Sequence, residues 1–129
     1  ITTYEVQLGP DAPVIDALGG RNSSNPGAPT PKFRDNLRVS YSTDQHSGNV
    51  AMRYISSVED DIGGGTIGSW TVFDAQYAFR FGGDTGATIS VGAVNVFNKK
   101  PPTAAFTGYL PALHDALGRQ AYIRLTFDL

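Results

Sequence analysis

The chain has 129 residues, enough for one ordinary domain, with 15 Gly, 8 Pro, 11% aromatic and 17% charged residues, the last below the globular norm of about 25%. A net charge of −2 offers nothing to a nucleic-acid backbone, and the absence of cysteine excludes a disulfide framework and a thiolate metal site. No apolar run reaches the roughly 18 residues of a spanning helix, a test that alternating barrel strands escape.

The chain opens on ITTYEVQL, with neither an initiating Met nor a signal peptide, and reads at once as the interior of a strand; it is expected to be cut from a longer protein. Tyr4, Val6 and Leu8 alternate there with Thr3, Glu5 and Gln7, the period-two signature of a strand. A long connection, residues 9–32, follows; Asn22-Ser23-Ser24 within it has the form of a glycosylation sequon. In the second segment Leu37, Val39 and Tyr41 oppose Arg34, Asn36, Arg38, Ser40 and Ser42. The short connection 43–48 carries His46. In the third segment Val50, Met52 and Tyr54 oppose Asn49 and Arg53. The connection 59–68 holds Glu59, Asp60 and Asp61, read as solvated charge with a bound cation as the sharper alternative. It also holds Gly63-Gly64-Gly65, a flexible loop tip without the Lys and helix of a phosphate cradle.

The fourth segment sets Phe73, Ala75, Tyr77, Phe79 and Phe81 against Asp74, Gln76 and Arg80, and a short connection, 82–86, follows. The fifth sets Ile89, Val91 and Ala93 against Thr88, Ser90 and Gly92, and loses its alternation from Val94 to Phe97. Asn95 and Pro101-Pro102 are expected to organise this strand exit and stiffen the connection 98–117. His114 reads as a hydrogen-bonded loop histidine in preference to one half of a pair with Asp115. The sixth segment sets Ala121, Ile123, Leu125, Phe127 and Leu129 against Gln120, Tyr122, Arg124, Thr126 and Asp128. The two histidines lie in different connections and are not expected to share a metal. No nucleophile–base pair is visible, so no catalysis, no cofactor and no metal site is expected.

The connections alternate long, short, long, short, long. A soluble sandwich has no reason to keep all its long loops at one end, whereas a transmembrane barrel has short periplasmic turns and longer outer loops. About ten residues per strand at roughly 3.3 Å each, tilted about 40°, cover about 25 Å, the apolar height of such a barrel. Tyr41, Phe79, Phe81 and Phe127 are expected at the periplasmic boundary and Trp70 and Phe97 at the outer one, where amphipathic rings favour the interface. Arg38, Arg53, Arg80 and Arg124 all fall mid-strand on the polar face. On the lipid side each would cost about 2–4 kcal/mol at mid-bilayer; on the lumen side each meets water or a carboxylate such as Glu5 or Asp74.

Several stretches resemble the last strands of the TonB-dependent receptors of bacterial outer membranes. "TPKFRDNLRVSYS" (30–42), "MRYISSVEDD" (52–61) and "GSWTVFDAQYAFRF" (68–81) resemble successive late barrel strands, with Phe73 and Asp74 in the family's places. "ISVGAVNVFNKKPP" (89–102) is similar to the family's run of Gly, Asn, aliphatic, Phe, small polar, basic and paired prolines. "LHDALGRQAYIRLTFDL" (113–129) is similar to its final loop and closing strand, with Asp115 and Gly118-Arg119 matching. The chain departs from that pattern in ending on Leu129 where such barrels end on an aromatic, and in carrying His114 where Tyr is common.

The resemblance covers residues 30–129 and implies an all-β fold: an antiparallel transmembrane meander of about six strands, the whole of 1–129 being the C-terminal portion of a barrel of about 22 strands. It implies an outer-membrane location and energised uptake of a scarce nutrient such as a ferric siderophore. The implied partners are outer-membrane lipid and lipopolysaccharide, the rest of the barrel and its plug domain, a small-molecule nutrient, and TonB through an N-terminal region expected outside this chain. In a bacterium the sequon carries no meaning. Arg38, Arg53, Arg80 and Arg124 become candidates for lumen-facing contact with an anionic ligand or with the plug, wall-holding pairs being the commoner role. Two alternatives stand beside this: a passive porin-type barrel without a plug, and a soluble antiparallel β-sheet domain with one wet face.

Overall fold

The structure, a computed structural model, describes residues 3–7, 9–82 and 86–127. Among the described residues there is no helix. The strands in chain order are β1 (Glu5–Gln7), β2 (Val14–Asp16), β3 (Gly20–Arg21), β4 (Arg34–Ser42), β5 (His46–Ile55), β6 (Val58–Asp60), β7 (Thr66–Ile67), β8 (Trp70–Phe81), β9 (Ala87–Val94), β10 (Thr103–Ala104), β11 (Gly108–Tyr109) and β12 (Gln120–Phe127). The chain divides into two compact units: Ile1–Asp35, Tyr54–Trp70 and Lys100–Ala116 form one, and Asn36–Arg53, Thr71–Lys99 and Leu117–Leu129 the other. The three long connections thus gather in the first unit, and the strand interiors in the second.

The second unit is built on a five-stranded sheet in the order β12-β9-β8-β5-β4, each long strand beside the next along the chain. β9 pairs antiparallel with β8 and with β12 in registers that place like residues abreast. Tyr77, Val91 and Ile123 form one row, Phe79, Ile89 and Leu125 the next, and Ala75, Ala93 and Ala121 a third. Because side chains alternate across a strand, this register assembles one continuous apolar face and one polar face. Five of the six alternating segments are these five strands. The first is not: among the described residues β1 is a short strand paired with β2 alone, in a separate two-stranded sheet of the first unit. Three residues offer too little ladder to join a barrel wall. Leu8, Asp128, Leu129 and residues 83–85 of the short connection lie outside the described residues.

The first unit has its own core. β6 pairs parallel with β3 and antiparallel with β7, and β10 pairs with β11. Val58, Ile67, Ala104, Leu110 and Leu113 form its buried cluster, each large aliphatic contributing about 1.5–3 kcal/mol on burial. Gly63-Gly64-Gly65, expected as a flexible tip, is a tight hydrogen-bonded turn between β6 and β7. Gly64 and Gly65 take φ of 75° and 91°, Gly64 N donates to Asp60 O at 2.7 Å, and Asp60 N donates to Gly65 O at 3.0 Å.

Candidate functional site

The second unit's sheet leaves its apolar face open where a half-wet sheet in water would bury it, and much of its polar face is open too, at Gln76, Arg80 and Arg124. On its apolar face Ile123 is 76% exposed, Val39 65% and Val91 42%, while Ala78 and Ser90 of the opposite face are 7% and 9% exposed. Small residues make the apolar face concave. Gly48, Ala75 and Ala93 floor a shallow groove of 580 Å³ walled by Val50, Tyr77 and Val91. The strand β5 begins three residues earlier than its alternation suggests. His46, expected in a turn, therefore stands on this apolar face, its Nδ1 2.6 Å from Tyr77 Oη and its ring centroid 5.0 Å from that of Phe79. With Phe79 stacked on Phe81 at 6.1 Å, it makes an aromatic cluster beside the short turns.

The four candidate arginines divide into pairs. Arg53 and Asp74 form a half-exposed ion pair at 3.2 Å, the expected carboxylate partner. Asp74 Oδ1 also accepts from Asn95 N at 2.9 Å, so one carboxylate ties the β5 arginine to the exit of β9. Arg80 is also engaged. Arg38 and Arg124, on the two outermost strands of the sheet, are exposed and form no ion pair among the described residues. Glu5 belongs to the first unit and pairs with none of them. Across the polar face, Tyr122 Oη donates to Gln76 Oε1 at 3.1 Å over the bare backbone of Gly92.

Asn95 has the organising role that its position suggests. Its backbone is left-handed at φ 51°, it is buried, and its side chain closes the turn in both directions: Oδ1 accepts from Lys99 N at 2.8 Å, and Nδ2 donates to Lys99 O at 3.0 Å. Asn98, at φ 53°, accepts through Oδ1 from Arg119 N at 3.0 Å. Val96 N donates to Phe73 O at 2.8 Å, and the Phe73 and Phe97 rings meet edge to face at 5.6 Å. Asp74, Asn95, Asn98 and Arg119 thus work as one strand-exit node.

Several readings of the connections change. Asp60 is not a solvated or cation-binding acid: it is 2% exposed, its two oxygens accept from Arg21 Nη1 at 3.1 Å, and Gly63 N donates to it at 3.0 Å. Among the described residues no group of His and acidic side chains is arranged to hold a metal. Asn22 is buried, with Oδ1 accepting from Ser24 N at 2.9 Å, so the sequon-like triplet is a capped turn. Trp70 is not a boundary aromatic facing lipid; it is buried in the first unit with its ring edge on His114, centroids 5.5 Å apart. His114 lies in a loop, as expected, but is only 3% exposed, and burial, with the charge of Arg34, lowers its pKa below the ordinary histidine value. Among the described residues Trp70 Nε1 and His114 Nδ1 have no hydrogen-bond partner.

Sequence reasoning missed the Arg21–Asp60 pair, whose members lie 39 residues apart. The one available signal was that Asp60 precedes a glycine run that needs an anchored turn. No protein-family model, curated protein or solved structure matches the chain.

Proposed function

We propose that this chain is part of the wall and outer loops of a bacterial outer-membrane β-barrel of the TonB-dependent receptor kind, serving energised uptake of a scarce nutrient such as a ferric siderophore. The observation that carries the reading is the sheet of the second unit: a registered apolar face open to its surroundings, backed by a face of arginines, amides and hydroxyls. In water that arrangement leaves large side chains such as Ile123, Leu125 and Phe127 uncovered. Against hydrocarbon it is the stable one, because the outer face of a barrel is apolar and its interior polar. The groove over Gly48 and Ala93 suits an acyl chain. Gathering of the three long connections in one compact unit fits outer loops, and the motif resemblance from residue 30 onward supplies the receptor assignment. No described helix is long and apolar enough to cross a membrane, a fact without bearing on strands.

The test uses the intact protein in bilayers, with spin labels placed singly at Phe79 and Ile123 and, for comparison, at Arg80 and Arg124. The first pair is expected to collide more often with lipid-soluble oxygen, the second with a water-soluble relaxant. Equal oxygen access at both pairs would remove the barrel and the transporter together. Receptor and passive porin separate on the upstream coding sequence, which for a receptor encodes a signal peptide and then a plug.

A further inference from the structure

We propose that the first unit carries a binding site for a phosphate group, clamped by Lys32 and Arg34. The two cations border a concavity of 470 Å³ whose remaining wall is residues 28–31 and Ala112. Among the described residues no carboxylate lines it. Neither cation forms an ion pair among the described residues, in contrast to Arg21 of the same unit, whose charge is met by Asp60. Lys32 lies at the bend that leads into β4 and Arg34 is the first residue of that strand, and both border the same concavity. A phosphate monoester, carrying close to two negative charges near neutral pH, matches this pair, and the guanidinium fork adds bidentate geometry.

The site is built rather than left over. Lys32 is held by its stem, which lies across Gly19: a methyl group there would sit 2.6 Å from Lys32 Cγ and 2.9 Å from Cδ. Gly19 takes φ 77° to make that approach and is itself fastened by a backbone bond from its N to Thr30 O. Pro29 and Pro31 are buried and fix φ on either side of Thr30. The wall and one cation are thereby placed before any ligand arrives. Burial, with the charge of Arg34 as the smaller cause, lowers the pKa of the His114 ring, so the cation acts on its surroundings without an ion-paired carboxylate among the described residues to offset it. The inference does not depend on whether the second unit's sheet meets lipid.

The probe is inorganic phosphate, titrated at constant ionic strength against chloride into the full chain, with amide chemical shifts of residues 28–34 and Ala112 followed by NMR. Saturable shifts confined to these residues are expected. Lys32→Gln and Arg34→Gln should each weaken binding at least about tenfold. Lys32→Arg, which keeps the charge, should retain it, and unchanged amide dispersion elsewhere reports that each variant folds. A parallel titration with phosphatidic acid in phosphatidylcholine bicelles distinguishes sources. Saturation by free phosphate assigns the site to a soluble ligand, and saturation by phosphatidic acid alone assigns it to a lipid headgroup. A linear drift in both titrations, or equal binding by the charge-removing variants, overturns the proposal.

Discussion

At the scale of single residues, Gly92 shows how close packing on the polar face narrows the choice of side chain. A methyl group there would stand 2.5 Å from Tyr122 Oη and 2.6 and 2.8 Å from two atoms of its ring, inside any real contact. Gly92→Ala must swing the ring away and break its hydrogen bond to Gln76, so a loss of about 1 kcal/mol is expected, and Tyr122→Phe should lose a similar amount. Urea denaturation of both variants and the double variant checks this: their effects should overlap rather than add, since both remove one bond. The buried pair of the first unit sets a larger scale. Arg21→Leu leaves Asp60 as an uncompensated carboxylate that is 2% exposed, and about 3–5 kcal/mol of destabilisation is expected. A loss under about 1 kcal/mol would mean that water reaches Asp60 and that the pair is not buried in solution. His114 gives a pH dependence with a definite sign. Its pKa is lowered in the folded chain by burial first and Arg34 second, so the folded state binds fewer protons than the unfolded one. Its contribution is fully present above the unfolded value of about 6.5 and is lost as pH falls from there toward the lowered folded pKa. His114→Phe should therefore flatten the slope of stability against pH just below 6.5, with little change above it; an unchanged slope would assign the titration to another group.

At the scale of elements, the long strands were readable because each alternates apolar and polar side chains over eight or more residues, enough for a period of two to stand out. β8, with Phe73, Ala75, Tyr77, Phe79 and Phe81 on one face, is the clearest case. The strands of two or three residues, β1–β3, β6, β7, β10 and β11, are too short to show a period and are held by tertiary partners instead. β6 illustrates this, since its Asp60 is committed to a residue 39 positions away, a relation that no local pattern encodes. Trp70 was misread for a related reason: it begins β8, but belongs to the first unit's core, so strand position and environment part company at that residue. The exit of β9 was readable in part. Loss of alternation after Val94 marked the turn, while the bond from Asn95 N to Asp74 needed the register of β8 against β9. That node has its own test. Asn95→Gly keeps access to φ 51° and loses the side-chain bonds to Lys99; Asn95→Ala loses both. Ala should thus be less stable than Gly by about 1 kcal/mol, the reverse of their usual order within regular structure. Thermal unfolding of the two variants decides it, and an Ala variant at least as stable as the Gly variant would show that the left-handed turn is not retained.

At the scale of the whole molecule, the sheet stops short of closure on both sides. Every described residue of β4 and of β12 is exposed, as expected of strands with a neighbour on one side only. An unpaired edge is costly in lipid, where no water satisfies its backbone, so the membrane reading requires further strands beside both β4 and β12 in the complete protein. The apolar face makes a quantitative demand as well. Ile123 lies in the middle of β12, level with Val91 and Tyr77, and is 76% exposed within this chain. If that exposure is to water, Ile123→Arg removes almost no contact and should change stability by no more than about 0.5 kcal/mol, as surface substitutions do. If it is to hydrocarbon at mid-bilayer, the same change costs about 2–4 kcal/mol. The two expectations differ by several-fold, and the described residues cover too little of Ile123 to blur them. Reversible denaturation of the intact protein from liposomes, native against Ile123→Arg, reads the difference directly. Thr126→Arg on the opposite face of the same strand is the control, expected to change stability by less than about 1 kcal/mol because a lumen substitution meets water. A small loss for Ile123→Arg equal to that of the control would place water on both faces and leave a soluble sheet as the surviving reading.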